Sequence, residues 1–240
     1  MEVQIRHNPA YAVARLNLAP NEPVRVEAGA MMTMSSGVVL ESKAEGGMLK
    51  SLKRAALGGE SFFVSTFTAP AQGGFVDVAA RLAGDATVFE VTPGKALFVQ
   101  KGSWLANEAT IEIDAKWGGF KNMFGSEGGF IVRAGGTGKV VFGAYGAIEV
   151  WNLEPGQTLT VDTGHMVAYE DSVQMTVRKA TGGVVQMLKS GEGLVFDFAG
   201  PGRVWTQTRN PNEFLTWVSA AIGTSNSGAS GGVGGLFGRD

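Results

Sequence analysis

Residues 153–166 read LEPGQTLTVDTGHM, with apolar and polar side chains alternating between a Pro-Gly pair and a Gly-His pair. Such alternation puts every second side chain on one face of a strand. Taken alone, His165 close to Asp162 suggests chemistry: a general base oriented by a carboxylate, or a metal ligand. Two other stretches change that reading. LAPNEPVRVEAGAM (18–31) and VTPGKALFVQKGSW (91–104) align with it without a gap. Pro20, Pro93 and Pro155 then correspond, as do Gly29, Gly102 and Gly164, at offsets of 73 and 62 residues for both sets. Between these anchors, Val24, Leu97 and Leu159 share one position, and Val26, Val99 and Val161 another. The proline start predicts a turn whose next residue tolerates the bend. The aligned glycine predicts a strand end at positive φ or a bulge.

A second block follows each copy, at 46–67, 118–134 and 182–199. Each opens on Gly-Gly, passes through a short apolar and basic segment and a glycine-rich turn, and enters an apolar strand. A fainter third piece, at 73–80, 136–144 and 200–208, places glycine ahead of a short strand. Ordered blocks recurring at near-constant spacing predict an internal triplication, each unit about 60–70 residues of short strands. Units this small bury their own faces poorly, so the three are expected to pack as one body.

The expected fold is all-β with few short helices. Three pseudo-repeats of short antiparallel strands, at about 3–80, 81–145 and 146–208, form one barrel or sandwich domain over 1–223. A helix is predicted at 211–222, with Asn210 as its N-cap, Pro211 in its first turn and Gly223 at its end. Its apolar stripe, Phe214, Leu215, Trp217, Val218, Ala221 and Ile222, is expected to dock on the body. The Gly/Ser-rich tail, 224–240, reads as flexible, with Leu236 and Phe237 its only large apolar residues.

Composition narrows the function classes. A net charge of −2 argues against nucleic acid as an obligate partner, which needs a basic face. The absence of Cys excludes disulfides and thiolate chemistry and is compatible with a reducing compartment. The first residues lack the basic-then-apolar order of a signal peptide, and no apolar run is long enough to span a bilayer, so a cytoplasmic location is expected.

No candidate site assembles a catalytic set. His165 corresponds to Ala30 and Ser103 in the other copies, and the second of the two His residues, His7, lies in a predicted edge strand. A turn or surface role fits His165 better than catalysis. Glu27, Gln100 and Asp162 share one position and could form a polar ring near a pseudo-axis; a solvated strand end accounts for them as well. GGTGK (135–139) lacks the spacing of a phosphate loop, since Val140 follows Lys139. GGMLKSLKRAALGG (46–59) reads as a short basic amphipathic segment, able to touch a membrane surface or a protein partner or simply to cap the body. The five tryptophans are spread through different elements, as core or interface packing would have them. No catalytic, cofactor-binding or metal residue is therefore assigned, and no cofactor is expected.

VRVEAGAMMTMSSGVVLESK (24–43), GGMLKSLKRAALGGESFFVSTFTA (46–69) and GPGRVWTQTRNPNEF (200–214) resemble the family named for altered inheritance of mitochondria, from about residue 3 to 220. The resemblance implies a β-rich fold of three related segments, similar to a shortened double-stranded β-helix or the tryptophan-RNA-attenuator-like fold, and trimeric assembly. The mitochondrial relatives are associated with inner-membrane organisation, whereas this chain shows no mitochondrial targeting segment. The residues favour a non-enzymatic oligomeric scaffold or interaction protein. The alternative is a small-ligand-binding or cupin-like enzymatic β-barrel.

Overall fold

The computed structural model describes residues 1–41, 64–114, 131–180 and 193–227. The basic segment at 46–59, its counterparts at 118–130 and 182–192 and residues 228–240 of the predicted tail lie outside the described residues.

Three segments carry one strand pattern. The first holds β1 (Glu2–Arg6), β2 (Val13–Leu18), β3 (Pro23–Glu27), β4 (Met31–Met34), β5 (Val39–Glu41), β6 (Val64–Thr68) and β7 (Gly74–Ala79). The second holds β8 (Ala86–Val91), β9 (Leu97–Gln100), β10 (Trp104–Glu108), β11 (Ile111–Asp114), β12 (Ile131–Gly136) and β13 (Gly138–Gly143). The third holds β14 (Ile148–Leu153), β15 (Thr158–Asp162), β16 (Met166–Glu170), β17 (Gln174–Lys179), β18 (Leu194–Ala199) and β19 (Gly202–Gln207). Among the described residues one helix, α1 (Pro211–Ser227), follows.

The aligned prolines build the same turn in each segment. Asn21, Gly94 and Gly156, each directly after its proline, have φ of 57°, 79° and 83°. Each turn closes on a backbone bond, from Glu22 N to Ala19 O (3.1 Å), Lys95 N to Thr92 O (2.9 Å) and Gln157 N to Glu154 O (3.0 Å). Proline followed by a left-handed residue is the type II pattern, and it launches β3, β9 and β15. The glycine that ends each of these strands behaves less uniformly. Gly29 has φ of 89°, but Gly102 and Gly164 sit inside short 3-10 turns, Lys101–Ser103 and Thr163–His165.

Corresponding strands also share an irregularity. β4 pairs with β7, β10 with β13 and β16 with β19, and each pairing slips at one residue: between Met31 and Thr33, Trp104 and Ala106, Met166 and Ala168. The bulged residues, Met32, Leu105 and Val167, keep the sequence offsets of the prolines.

The strands make four open antiparallel sheets: β1-β2-β7-β4, β5-β6-β3-β10-β13-β8, β11-β12-β9-β16-β19-β14 and β15-β18-β17. Among the described residues no sheet closes on itself, so the body is a stack of sandwiches rather than a barrel. Neighbouring segments are sewn together through β3–β10, with Val26 opposite Ala106, and β9–β16, with Val99 opposite Ala168.

Each shared sheet is covered on both faces. Val24, Val26, Leu16 and Val76 of the first segment pack with Leu105, Ala106 and Val141 of the second. Leu97, Val99, Phe89 and Phe142 of the second pack with Val167, Ala168 and Trp205 of the third. The first and second segments therefore each complete their core with residues from the next. The third core contains Val161, Tyr169, Phe196, Phe198 and Val204.

Asn210 caps α1 as expected, its Oδ1 accepting from Asn212 N at 2.9 Å, and Pro211 opens the helix. The helix runs past Gly223 to Ser227. The expected docking of the whole stripe does not occur. Phe214 meets Tyr145 with ring centroids 5.7 Å apart, while Leu215, Trp217 and Ile222 remain exposed. Periodicity marks an apolar face but does not say what it faces.

The links between segments are tied by a parallel bridge, Gly84 to Gly146, with Asp85 N donating to Gly146 O (2.8 Å) and Gly146 N to Ala83 O (3.0 Å). A Cβ on Gly84 would lie 1.9 Å from Ala144 O and 2.7 Å from Gly146 N, both backbone atoms that cannot rotate away. We expect Gly84→Ala to lower stability by about 2–3 kcal/mol in urea unfolding. Gly94→Ala, with open space around it but φ of 79°, should lose only about 1–2 kcal/mol.

Candidate functional site

The strand ends at 27, 100 and 162 and the links that leave β7, β13 and β19 gather at one end of the stack. Between them lies a cleft of about 270 Å³. Glu27 and Gln100 line it, together with Arg81, Tyr145, Gln207 and Asn210 at the start of α1.

The three residues of the expected polar ring meet different fates. Glu27 faces Arg81, whose guanidinium lies 3.5 Å from the carboxylate. Gln100 keeps its Oε1 buried without a hydrogen-bond donor. Asp162 is not among the lining residues; its carboxylate accepts from Gly164 N at 2.9 Å and caps the local turn. The alignment thus brings two of the three to one cleft, and the third is spent on its own backbone.

His165 is fixed by structure as well. Its Nδ1 stands 2.7 Å from Gln207 O, and because a carbonyl only accepts, Nδ1 carries the proton. Asp162 is turned to Gly164, so the pairing of acid and imidazole suggested by sequence is not made. His7 lies in a turn at φ of 59°, its carbonyl accepting from Tyr11 N. Among the described residues no group of three or more His, Asp or Glu side chains converges. GGTGK forms the tight connection between β12 and β13, with Gly136 and Gly138 at φ of 102° and 140°, a hairpin rather than a phosphate cradle.

Gln207 is a site residue that pattern reading misses. It is buried at the end of β19, takes Tyr145 N on its Oε1 (2.8 Å) and gives its Nε2 to Gly164 O (2.8 Å). One amide therefore holds two turns of the cleft wall. Its only sequence signal is a polar residue ending an apolar strand.

Among the described residues the densest ionic cluster lies elsewhere, on the outer face of the first sheet. Asp77 on β7 is buried and accepts two bonds from Arg15 (2.9 Å each), one from Thr33 Oγ1 (2.8 Å), and an ion pair from Arg6 at 2.9 Å. Arg15 also lies over the ring of Phe75, 3.9 Å from its centre. The hydrogen bonds from Arg15 outweigh burial and hold the Asp77 carboxyl below its ordinary value of 3.8. A carboxylate this fully engaged is no proton acceptor; its chemistry is structural. In the third core the Tyr169 hydroxyl is buried without a partner, and burial pushes its pKa up.

A family model described as mitochondrial biogenesis AIM24 matches residues 3–209. An uncharacterised protein of Streptococcus pyogenes serotype M6 is 23% identical over 235 residues, spanning 95% of this chain and 93% of that one. The crystal structure of protein SPYM3_0169 from Streptococcus pyogenes superposes with a TM-score of 0.76 at 23% identity, covering 92% of this chain and 99% of that one. At that identity the match speaks for the fold alone.

Gln207→Ala should leave Tyr145 N and Gly164 O without their partners and lower stability by about 2 kcal/mol, read by urea unfolding. Asp77→Asn tests the ionic cluster through pH. A carboxyl held low in the fold stabilises fully above its unfolded value and loses that contribution as pH falls through the folded one. The variant should be about 1–2 kcal/mol less stable at pH 7, and the gap to the parent should close progressively below about pH 4.

Proposed function

We propose that this chain, which belongs to the mitochondrial biogenesis AIM24 family, is a non-enzymatic scaffold that joins head to tail with copies of itself. On this reading it is built from three copies of one β unit, and its surface is for assembly rather than catalysis.

The supporting observation is β4. The corresponding strands β10 and β16 are buried along nearly their whole length, because each lies inside a shared sheet. β4, which reads MMTM, is exposed at all four residues. Leu105 and Val167 are 1% and 0% exposed because each enters the core of the preceding segment; Met32, at the same position, is 52% exposed. At the other end β15 holds the place of β3 and β9, yet among the described residues it pairs with β18 alone. One end of the stack therefore lacks a strand to receive, and the other lacks a strand to insert. Such free edges are ready templates for another chain. A head-to-tail joint of this kind closes into a ring or runs on as a fibre, and the family resemblance favours a trimeric ring.

A second reading, a small-ligand-binding protein, draws support from the cleft and the buried, unpartnered Gln100 Oε1. A cytoplasmic location and contact with a protein partner or membrane surface belong to the proposal. Among the described residues no helix is long and apolar enough to cross a membrane.

Light scattering coupled to size exclusion should give an oligomer at micromolar concentration. Met32→Lys, which changes an exposed side chain, should yield a monomer with an unchanged circular dichroism spectrum. A parent chain that is monomeric throughout would overturn the proposal.

A further inference from the structure

The two joints inside the chain specify how a third, between chains, is made. We infer that Trp151 on β14 of one copy seats against the Arg15–Asp77 face of the next; the inference rests on the head-to-tail reading and adds its side-chain partners.

Trp151 pairs with Val204, as Phe89 pairs with Val140 and Leu16 with Val76, so the three share one place on the core-facing side of their sheets. Leu16 and Phe89 are 0% and 5% exposed, whereas Trp151 is 41% exposed. What differs is the cover. Phe89 is covered by Trp205 of the following segment, edge to face at 5.7 Å, and by Arg203, 5.3 Å from its ring centre. Trp151 belongs to the third segment, and among the described residues no further β segment follows it.

Asp77 and Phe75 hold in the first segment the places of Trp205 and Arg203 in the third. In the registers, Asp77 stands opposite Thr33 as Trp205 stands opposite Ala168, and Phe75 lies two residues before it, as Arg203 does before Trp205. Continuing the internal pattern therefore brings Phe75, with Arg15 stacked on it, and the Asp77 cluster over the exposed indole of a neighbouring copy. The match is chemical as well as positional, since guanidinium groups and aromatic rings stack favourably. The same continuation fixes the strand register. Ala106 opposite Val26 and Ala168 opposite Val99 translate to Thr33 opposite Val161, with Met34 opposite Thr160.

Two measurements on the full chain test this. In sedimentation equilibrium, Trp151→Ala should raise the dissociation constant of the assembly about tenfold or more while its circular dichroism spectrum at monomeric dilution stays that of the parent. In the second, Met34→Cys is combined with Thr160→Cys in a chain that has no other Cys. Paired strands place opposed Cα atoms within disulfide range, so mild oxidation should link chains to one another. Met34→Cys with Thr158→Cys, two residues out of register, should link far more slowly. Unchanged association of Trp151→Ala, or equal linking by both cysteine pairs, would overturn this joint while leaving assembly itself intact if Met32→Lys still dissociates it. A parent chain that never associates would overturn both.

Discussion

Two-sided burial of β10, β13, β16 and β19 is the constraint on which the rest of the structure depends. A strand covered on one face alternates buried and exposed side chains; these four carry runs of buried residues, up to Trp104–Asn107 and Val140–Gly143. Both faces are used because each segment contributes its outer face to its predecessor's core. Segment boundaries in the sequence are therefore not boundaries in the packing. The middle segment cannot be removed without opening two cores.

Much of this was legible in the sequence, and the reasons are local. A proline followed by Asn or Gly states a turn type on its own, and all three copies made it. Alternation placed Val24, Val26, Leu97 and Val99 inward, where each is fully buried. What escaped reading depends on neighbours rather than on pattern. Met32, Leu105 and Val167 look equally apolar in sequence, and only the stacking order separates the exposed one from the buried two. Asp77 sits where Val141 and Trp205 sit, and nothing local marks it as the hub of two arginines, one from β1 and one from β2. Alignment gathered Glu27, Gln100 and Asp162 into one position, but equal position did not mean equal role, because each side chain found its own nearest partner.

The apparent His–Asp site dissolves for a related reason. Proximity in sequence along a turn leaves an aspartate free to cap the nearest backbone amide, two residues on, and that bond is already in place in the fold. Gln207, by contrast, draws its importance from reaching across to links distant in sequence. The cleft is shaped by such amide and backbone contacts, with Arg81 and Glu27 as its charged pair.

The bulge shared by Met32, Leu105 and Val167 has a consequence for how such a chain diverges. Separate, identical subunits in a ring must use one surface for every junction, so a change that suits one burdens all. In the assembly proposed above, two of every three junctions lie within one polypeptide and can grow dry and permanent, as those at Leu105 and Val167 have, while the one between copies is free to acquire arginines, an aspartate and methionines. On that reading, carrying three units on one chain separates durability from reversibility and lets selection tune each alone.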